Sequence, residues 1–204
     1  MTGARHLLAT CALVACLLVV CQVEASAQSV PREGFWFGIG GGAGRAEVTC
    51  DDCDDDRSET GGSGYVKAGW TLNPRVLVGG ELNVWTRRED LGDSDAWLTM
   101  YNASATVTFY PSATAGLFVK GGAGVAYLDT DVQGGRGSNI TIDLGSGPGF
   151  IVGAGYDLRL GRVALTPAVN YWRGHIGTVV GRGVAVASGW KQSIVDVTIG
   201  VTFP

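Results

Sequence analysis

Cys50-Asp51-Asp52-Cys53-Asp54-Asp55-Asp56 is the stretch of the chain densest in groups that could do chemistry. Carboxylates suit hard cations such as Ca²⁺, and thiolates suit zinc. Neither match is specific. The D-x-D-x-D-G-x₅-E order of a calcium loop is absent, and one C-x-x-C is half of a four-thiolate zinc site. In an exported chain Cys50 and Cys53 are expected to form a local disulfide that ties down a solvated acidic loop. No metal and no cofactor is assigned.

A second set of reactive groups is dispersed. Lys67, Arg87, Lys120 and Arg159 stand against Glu81, Asp157 and Asp196, on stretches otherwise poor in charge. Rings of charge set selectivity in pores. The same residues could instead form a packed, mutually neutralised polar core, and this is the preferred reading. Of the two histidines only His175 follows the leader, in Trp172-Arg173-Gly174-His175. Its nearest hydroxyl in sequence is Thr178, and no His-x-Ser pattern follows it. A catalytic residue would need a base, a nucleophile and an orienting acid within reach. His175 is therefore expected at a strand end, without a catalytic role. Gly38-Ile39-Gly40-Gly41-Gly42-Ala43-Gly44 imitates a phosphate-binding loop, but no helix follows and no P-loop lysine accompanies it.

The elements that position these groups follow from the whole chain. Arg5 and His6, an apolar run from Leu7 to Cys21 and the site Ala25-Ser26-Ala27 form a secretory signal peptide over 1–27. A lipobox-like Leu13-Val14-Ala15-Cys16 is the rival processing site, but the apolar run continues past it. Residues 28–204 make one domain. Without Arg5 and Glu24, the counts of 15 basic and 19 acidic residues fall by one each, and the net charge stays at −4. A nucleic-acid partner would call for a basic patch. No segment after the leader is long and apolar enough for a membrane helix.

Alternation with period two recurs over eight stretches, near 34–47, 64–72, 76–88, 97–110, 117–129, 148–160, 163–175 and 192–203. Short turns alternate with longer polar connections at 48–63, 89–96, 130–147 and 176–191, as an antiparallel meander requires. In Phe150–Leu160 one face carries Phe150, Val152, Ala154, Tyr156, Leu158 and Leu160. The other carries Ile151, Gly153, Gly155, Asp157 and Arg159. A soluble barrel would turn the second face to water, where glycine, alanine and threonine are poor choices. Turned inward, those small residues and few charges fit the narrow lumen of eight strands, and the apolar face meets lipid. Buried charges persist only when compensated. Aromatic residues near strand ends (Phe35, Trp36, Phe37, Trp70, Trp97, Phe109, Tyr110, Tyr127, Tyr171, Trp172, Phe203) are expected in two interfacial girdles. Pro167 lies inside a stretch that must pair on both sides, so a bulge is expected there.

The signal peptide, the eight alternating stretches and the ending Ile199-Gly200-Val201-Thr202-Phe203 resemble the small eight-stranded outer-membrane β-barrel proteins of Gram-negative bacteria. The resemblance is architectural and covers the chain after the leader. It implies an all-β, eight-stranded antiparallel up-and-down transmembrane barrel in the bacterial outer membrane. It also implies contact with outer-membrane lipid and lipopolysaccharide, and recognition of the last strand by the barrel-assembly machinery. Pro204 after Phe203 departs from the aromatic terminus usual for that recognition. The expected protein is a monomer, does not bind nucleic acid and is not an enzyme. Its interior is filled, and its role is structural or one of surface interaction through extracellular loops. The alternatives are a narrow porin-like channel, an enzyme modifying lipid A, or a soluble exported barrel.

Overall fold

A computed structural model describes residues 32–51, 57–90, 94–134, 139–181 and 184–203. The signal peptide, residues 1–27, lies outside these, as does Cys53. Nine strands appear in chain order: β1 (Phe35–Thr49), β2 (Arg57–Asn73), β3 (Val76–Asp90), β4 (Ser94–Phe109), β5 (Leu117–Gly134), β6 (Asn139–Tyr156), β7 (Leu158–Leu160), β8 (Val163–Gly181) and β9 (Val184–Phe203). Apart from β6 and β7, strands adjacent in sequence pair antiparallel, and β1 closes on β9. β6 and β7 both pair with β8, and their registers with it are continuous, so they form one stave interrupted at Asp157. The result is a closed all-β barrel of eight staves. Closure removes every edge strand.

The register fixes which face looks inward. Trp36, Tyr65, Glu81, Trp85, Met100, Asn102, Lys120, Ile151, Asn170 and Asp196 are buried. The residues beside them in sequence, such as Phe37, Val66, Leu82, Val119, Val152, Val197 and Ile199, are exposed to the surroundings. Val197 and Ile199 keep 60% of their surface uncovered, while Asp196 keeps 2% and Thr198 1%. Apolar outside and polar inside is the arrangement lipid requires, and the face Phe150–Leu160 presents outward is its apolar one.

The staves apart from short β7 are 15 to 20 residues long, whereas about 9–11 tilted residues cross a bilayer. Three short connections, at 74–75, 110–116 and 161–162, lie at one end together with both ends of the described chain, so the surplus projects at the other. The described parts of the connections expected at 48–63, 89–96, 130–147 and 176–191 are therefore mostly strand. Their physical signature differs from that of the wall. Ser58–Ser63, for one, folds as a paired strand although its sequence carries no apolar alternation.

Aromatic side chains mark two levels. Phe35 with Trp70 and Phe37 with Phe203 pack at the short-turn end, at 6.1 and 4.6 Å between ring centroids. Tyr127 is exposed, and Phe150 meets Tyr171 edge-on at 5.9 Å, nearer the hairpin end. On β4, Phe109 and Tyr101 share a face. At about 3.3 Å per residue and about 40° of tilt they are separated by about 20 Å of depth. Three residues expected in the girdles are not there. Trp36, Tyr110 and Trp172 are inside the barrel, because each shares its parity with inward neighbours instead of with the adjacent girdle residues.

Pro167 also departs from expectation. It pairs with Ile199 in unbroken register, with no bulge in β8 at that point. On its other side the ladder lacks pairs between Gly155–Ala168 and Leu158–Leu165. The missing N–H falls opposite the interruption at Asp157, whose own N–H donates to the Gly116 carbonyl at 3.0 Å. The opposite stave, not β8 itself, accommodates the proline.

Candidate functional site: a polar layer sealed between two apolar layers

The lumen is stratified, and β3 passes through every layer: Leu77, then Glu81 and Asn83, then Trp85, then Arg87. At the short-turn end Trp36, Leu77, Tyr110, Phe118 and Ala168 form an apolar cluster. Towards the hairpins a larger one contains Trp85, Met100, Leu128, Ile151, Trp172 and Ile194, each fully buried. Polar and charged groups occupy the space between.

The seven charged residues singled out in the sequence fall into separate stations. Lys120 reaches inside the lumen to donate to Glu81 Oε1, and both side chains are almost wholly buried, 4% and 1% exposed. Lys67 is the cross-strand partner of Glu81. Its ammonium lies over three rings instead, 5.4 Å from Tyr65, 5.7 Å from Phe118 and 6.0 Å from Trp36. Such ring faces attract a desolvated cation. Asp196 is held by neutral donors: Asn170 Nδ2 at 2.7 Å, Ser63 Oγ at 2.9 Å and Trp172 Nε1 at 2.9 Å. Arg87 pairs with Glu59 at the hairpin-end rim, where both side chains are over a third exposed.

Asp157 and Arg159 stand at the short-turn mouth. Asp157 accepts hydrogen bonds from Tyr110 Oη at 2.7 Å and Thr166 Oγ1 at 2.8 Å. Arg159 is close enough to Arg32 for the two guanidinium charges to repel. Arg32 itself was not legible as functional. Its guanidinium stacks on Tyr110 at 3.5 Å and donates to the carbonyls of Ala115 at 2.9 Å, Ala113 at 3.1 Å and Pro74 at 3.4 Å. One side chain thus ties the segment preceding β1 to two turns. Burial, with Asp157 beside it, pushes the Tyr110 phenol well above its ordinary range, so it donates as a neutral hydroxyl.

Glycine makes the narrow bore possible. A Cβ on inward-facing Gly42 would meet the Val197 carbonyl oxygen at 1.9 Å across the closing seam, whereas outward-facing Gly41 has its nearest neighbour at 3.6 Å. A concavity of about 750 Å³ lies largely on the lipid face, floored by Ala68, Gly80 and Ala103 and walled by Phe37, Ile39, Val66 and Leu82. Cys50 follows β1 and is disulfide-bonded. His175 is exposed on the outer face, opposite Lys191 in the ladder.

Residues 12–203 match the family described as Outer membrane protein beta-barrel domain. The chain belongs to that family. This outer-membrane barrel shares its fold with Neisserial surface protein A, at 18% identity, a TM-score of 0.55, and coverage of 83% of this chain and 96% of the other. It is also similar to the attachment invasion locus protein of Yersinia pestis, solved in complex with the heparin analogue sucrose octasulfate. There the identity is 14% and the TM-score 0.53, with 83% of this chain and 99% of the other covered. No curated protein matches the sequence. The protein is thus a Gram-negative outer-membrane barrel, with its short turns periplasmic and its hairpins extracellular.

Proposed function

We propose that this barrel is a non-enzymatic surface protein, whose wall is a closed support and whose activity resides in its extracellular hairpins. The observation that carries the reading is the stratified lumen: two apolar layers, centred on Trp36 with Phe118 and on Trp85 with Trp172, bracket the charged layer. Ions crossing would have to desolvate twice, at several kcal/mol each time. Ten acidic residues lie within 48–63 and 89–96, six in the first and four in the second. Such hairpins favour a cationic partner or one bridged by divalent cations. They do not favour the polysulfated ligand seen with the Yersinia pestis relative. The last strand remains the proposed signal to the barrel-assembly machinery, and a monomer is the proposed state.

Single-channel recording in planar bilayers tests the closed wall. The reading expects no conductance steps above leak from the wild type, and regular steps would replace it with the channel. Replacing 51–56 and 91–93 by Gly-Ser segments of equal length tests the hairpins. Assembly should persist while adhesion of expressing cells to cationic surfaces falls, and unchanged adhesion would count against the reading.

A narrow conduit is the second reading, favoured by one observation. Asn83 Nδ2, Asn102 Nδ2 and Asn170 Oδ1 in the middle layer have no protein hydrogen-bond partner. Such groups suit internal water, which would become a path if the aromatic layers parted. For the enzyme alternative, incubation with lipopolysaccharide should leave its acyl chains intact. Their loss, abolished by His175→Ala, would establish the enzyme.

A further inference from the structure

The seam that closes the barrel differs from the others. Elsewhere consecutive staves pair, whereas β1 and β9 stand at opposite ends of the chain. Their pairing carries the largest loop-closure cost and is expected last. Strand β1 brings little register information to it. Between Trp36 and Ala46 its inward positions are Gly38, Gly40, Gly42 and Gly44, and glycine-rich strands specify register weakly. The lipid-facing residues do not resolve the ambiguity. Phe37 pairs with Phe203 and Ile39 with Val201. A slip of two residues, about 6.6 Å, would set Phe35 against Phe203, Phe37 against Val201 and Ile39 against Ile199. The wall would remain apolar.

Strand β2 reaches over this bare strand to touch β9. Tyr65 pairs with Gly40, which pairs with Gly200. The Tyr65 hydroxyl lies so close to Gly200 that a Cβ there would meet it at 2.1 Å. Among the described residues that hydroxyl has no hydrogen-bond partner, so its effect on β9 is steric. Gly200 is the only glycine among inward-facing Ile194, Asp196, Thr198, Gly200 and Thr202. A slip of two in either direction would bring Thr198 or Thr202 opposite Gly40 and against Tyr65. Further along, Ser63 Oγ donates to Asp196 Oδ2 at 2.9 Å, past Gly42 and Gly44. The slip that keeps the wall apolar would put Ile194 opposite Gly44 and take the carboxylate away. Asn170 and Trp172, which also hold Asp196, belong to β8 and would move with β9. We propose that β2 sets the closing register through β1. Tyr65 admits only glycine opposite Gly40, and Ser63 selects the carboxylate opposite Gly44. An exclusion and an attraction thus discriminate between registers that the backbone and the wall leave equivalent.

Disulfide trapping in outer-membrane fractions reads the register directly, in a background carrying Cys50→Ser and Cys53→Ser. Cβ atoms of directly opposite residues lie about 4.5–5.5 Å apart and those of diagonal residues about 7–8 Å, while a disulfide needs about 3.5–4.5 Å. Val197 faces Ala43. The slip would bring it to Gly41, where a side chain has room. With β2 unchanged, Ala43→Cys with Val197→Cys should cross-link on oxidation with copper phenanthroline, and Gly41→Cys with Val197→Cys should not. Ser63→Ala should raise the 41–197 product about tenfold, through loss of a hydrogen bond to a carboxylate. Tyr65→Leu should raise it too, and the combination further. Ser104→Ala removes another buried hydroxyl of the polar layer, away from the seam, and should leave the product unchanged. No rise from Ser63→Ala, or from a Tyr65→Leu barrel that assembles, would overturn the proposal. So would an equal rise from Ser104→Ala, or a 41–197 product as abundant as the 43–197 one with β2 unchanged. The hairpins take no part in this test, so its result is independent of their proposed role.

Discussion

Lys120→Met isolates the ion pair that Lys120 and Glu81 form in the middle of the lumen. Lys120 and Glu81 are 4% and 1% exposed at their side chains, so the variant leaves a carboxylate with almost no access to water. Removing one partner of a buried pair costs about 3–5 kcal/mol, mostly as the penalty on the charge left behind. Lys67 is the cross-strand neighbour of Glu81, and its ammonium could leave the rings of Tyr65, Phe118 and Trp36 to compensate. The expected cost is therefore at the lower end, about 3 kcal/mol. Glu81→Gln with Lys120→Met removes both charges and should return to within about 1 kcal/mol of the wild type, because neutral replacement of a buried pair is often tolerated. Adding Lys67→Met to Lys120→Met should deepen the loss, since no second cation then remains nearby. Urea unfolding of barrels refolded into lipid vesicles, followed by the mobility difference between folded and unfolded bands, gives the midpoints. With m of about 1–3 kcal/mol/M, the single variant should move its midpoint by about 1–3 M. A Lys120→Met midpoint within error of the wild type, or a double variant no better than the single, would refute the idea that this pair holds the polar layer together.

Other consequences concern the seam, the wall and the periplasmic mouth. Gly42→Ala should block assembly, judged by loss of heat-modifiable mobility in outer-membrane fractions, while Gly41→Ala assembles normally, because only the first directs a Cβ into the Val197 carbonyl. Val197→Arg should cost about 2–4 kcal/mol in the same urea titration, the range for arginine facing lipid near mid-depth; no loss would contradict the lipid-facing assignment. Tyr110 has its pKa raised in the folded state. Its contribution to stability is therefore complete below about pH 10, its unfolded value, and is lost as pH rises above that while only the unfolded chain ionises. Wild-type urea midpoints should decline more steeply above pH 10 than those of Tyr110→Phe, and parallel declines would sink that argument.

The barrel was legible because lipid imposes a rule that acts on every wall residue. Val195, Val197 and Ile199 must be apolar while Asp196 and Thr198 need not be, and two-residue periodicity exposes this without reference to partners. The hairpin extensions are only partly legible: Ser58–Ser63 is polar and glycine-rich with no alternation, whereas Ile140, Ile142 and Leu144 do alternate, within a stretch whose glycines and polar residues read as a connection. The charged residues were found, yet their partners were not. Lys120 meets Glu81 inside the bore, and Asp196 is satisfied by Ser63 of β2 and by Asn170 and Trp172 of β8. The two aromatic layers were half visible. Trp85 shares its parity with Glu81 and Phe118 with Lys120, but Trp36, Tyr110 and Trp172 are placed by their nearness to strand ends, where parity with Gly38, Thr108 and Asn170 assigns each to the interior. Arg32 precedes the first strand, where no period exists to interpret it.

Site-directed nitroxide scanning along residues 194–199 tests the inside-out wall most directly. With the disulfide of Cys50 removed and single cysteines labelled in lipid vesicles, collision rates with oxygen and with a water-soluble nickel chelate report each position's surroundings. High oxygen accessibility with low nickel accessibility is expected at 195, 197 and 199, and low accessibility to both at 194, 196 and 198. The opposite phase, or nickel accessibility dominating at 197, would contradict a barrel that turns its apolar face to lipid and seals its charges within.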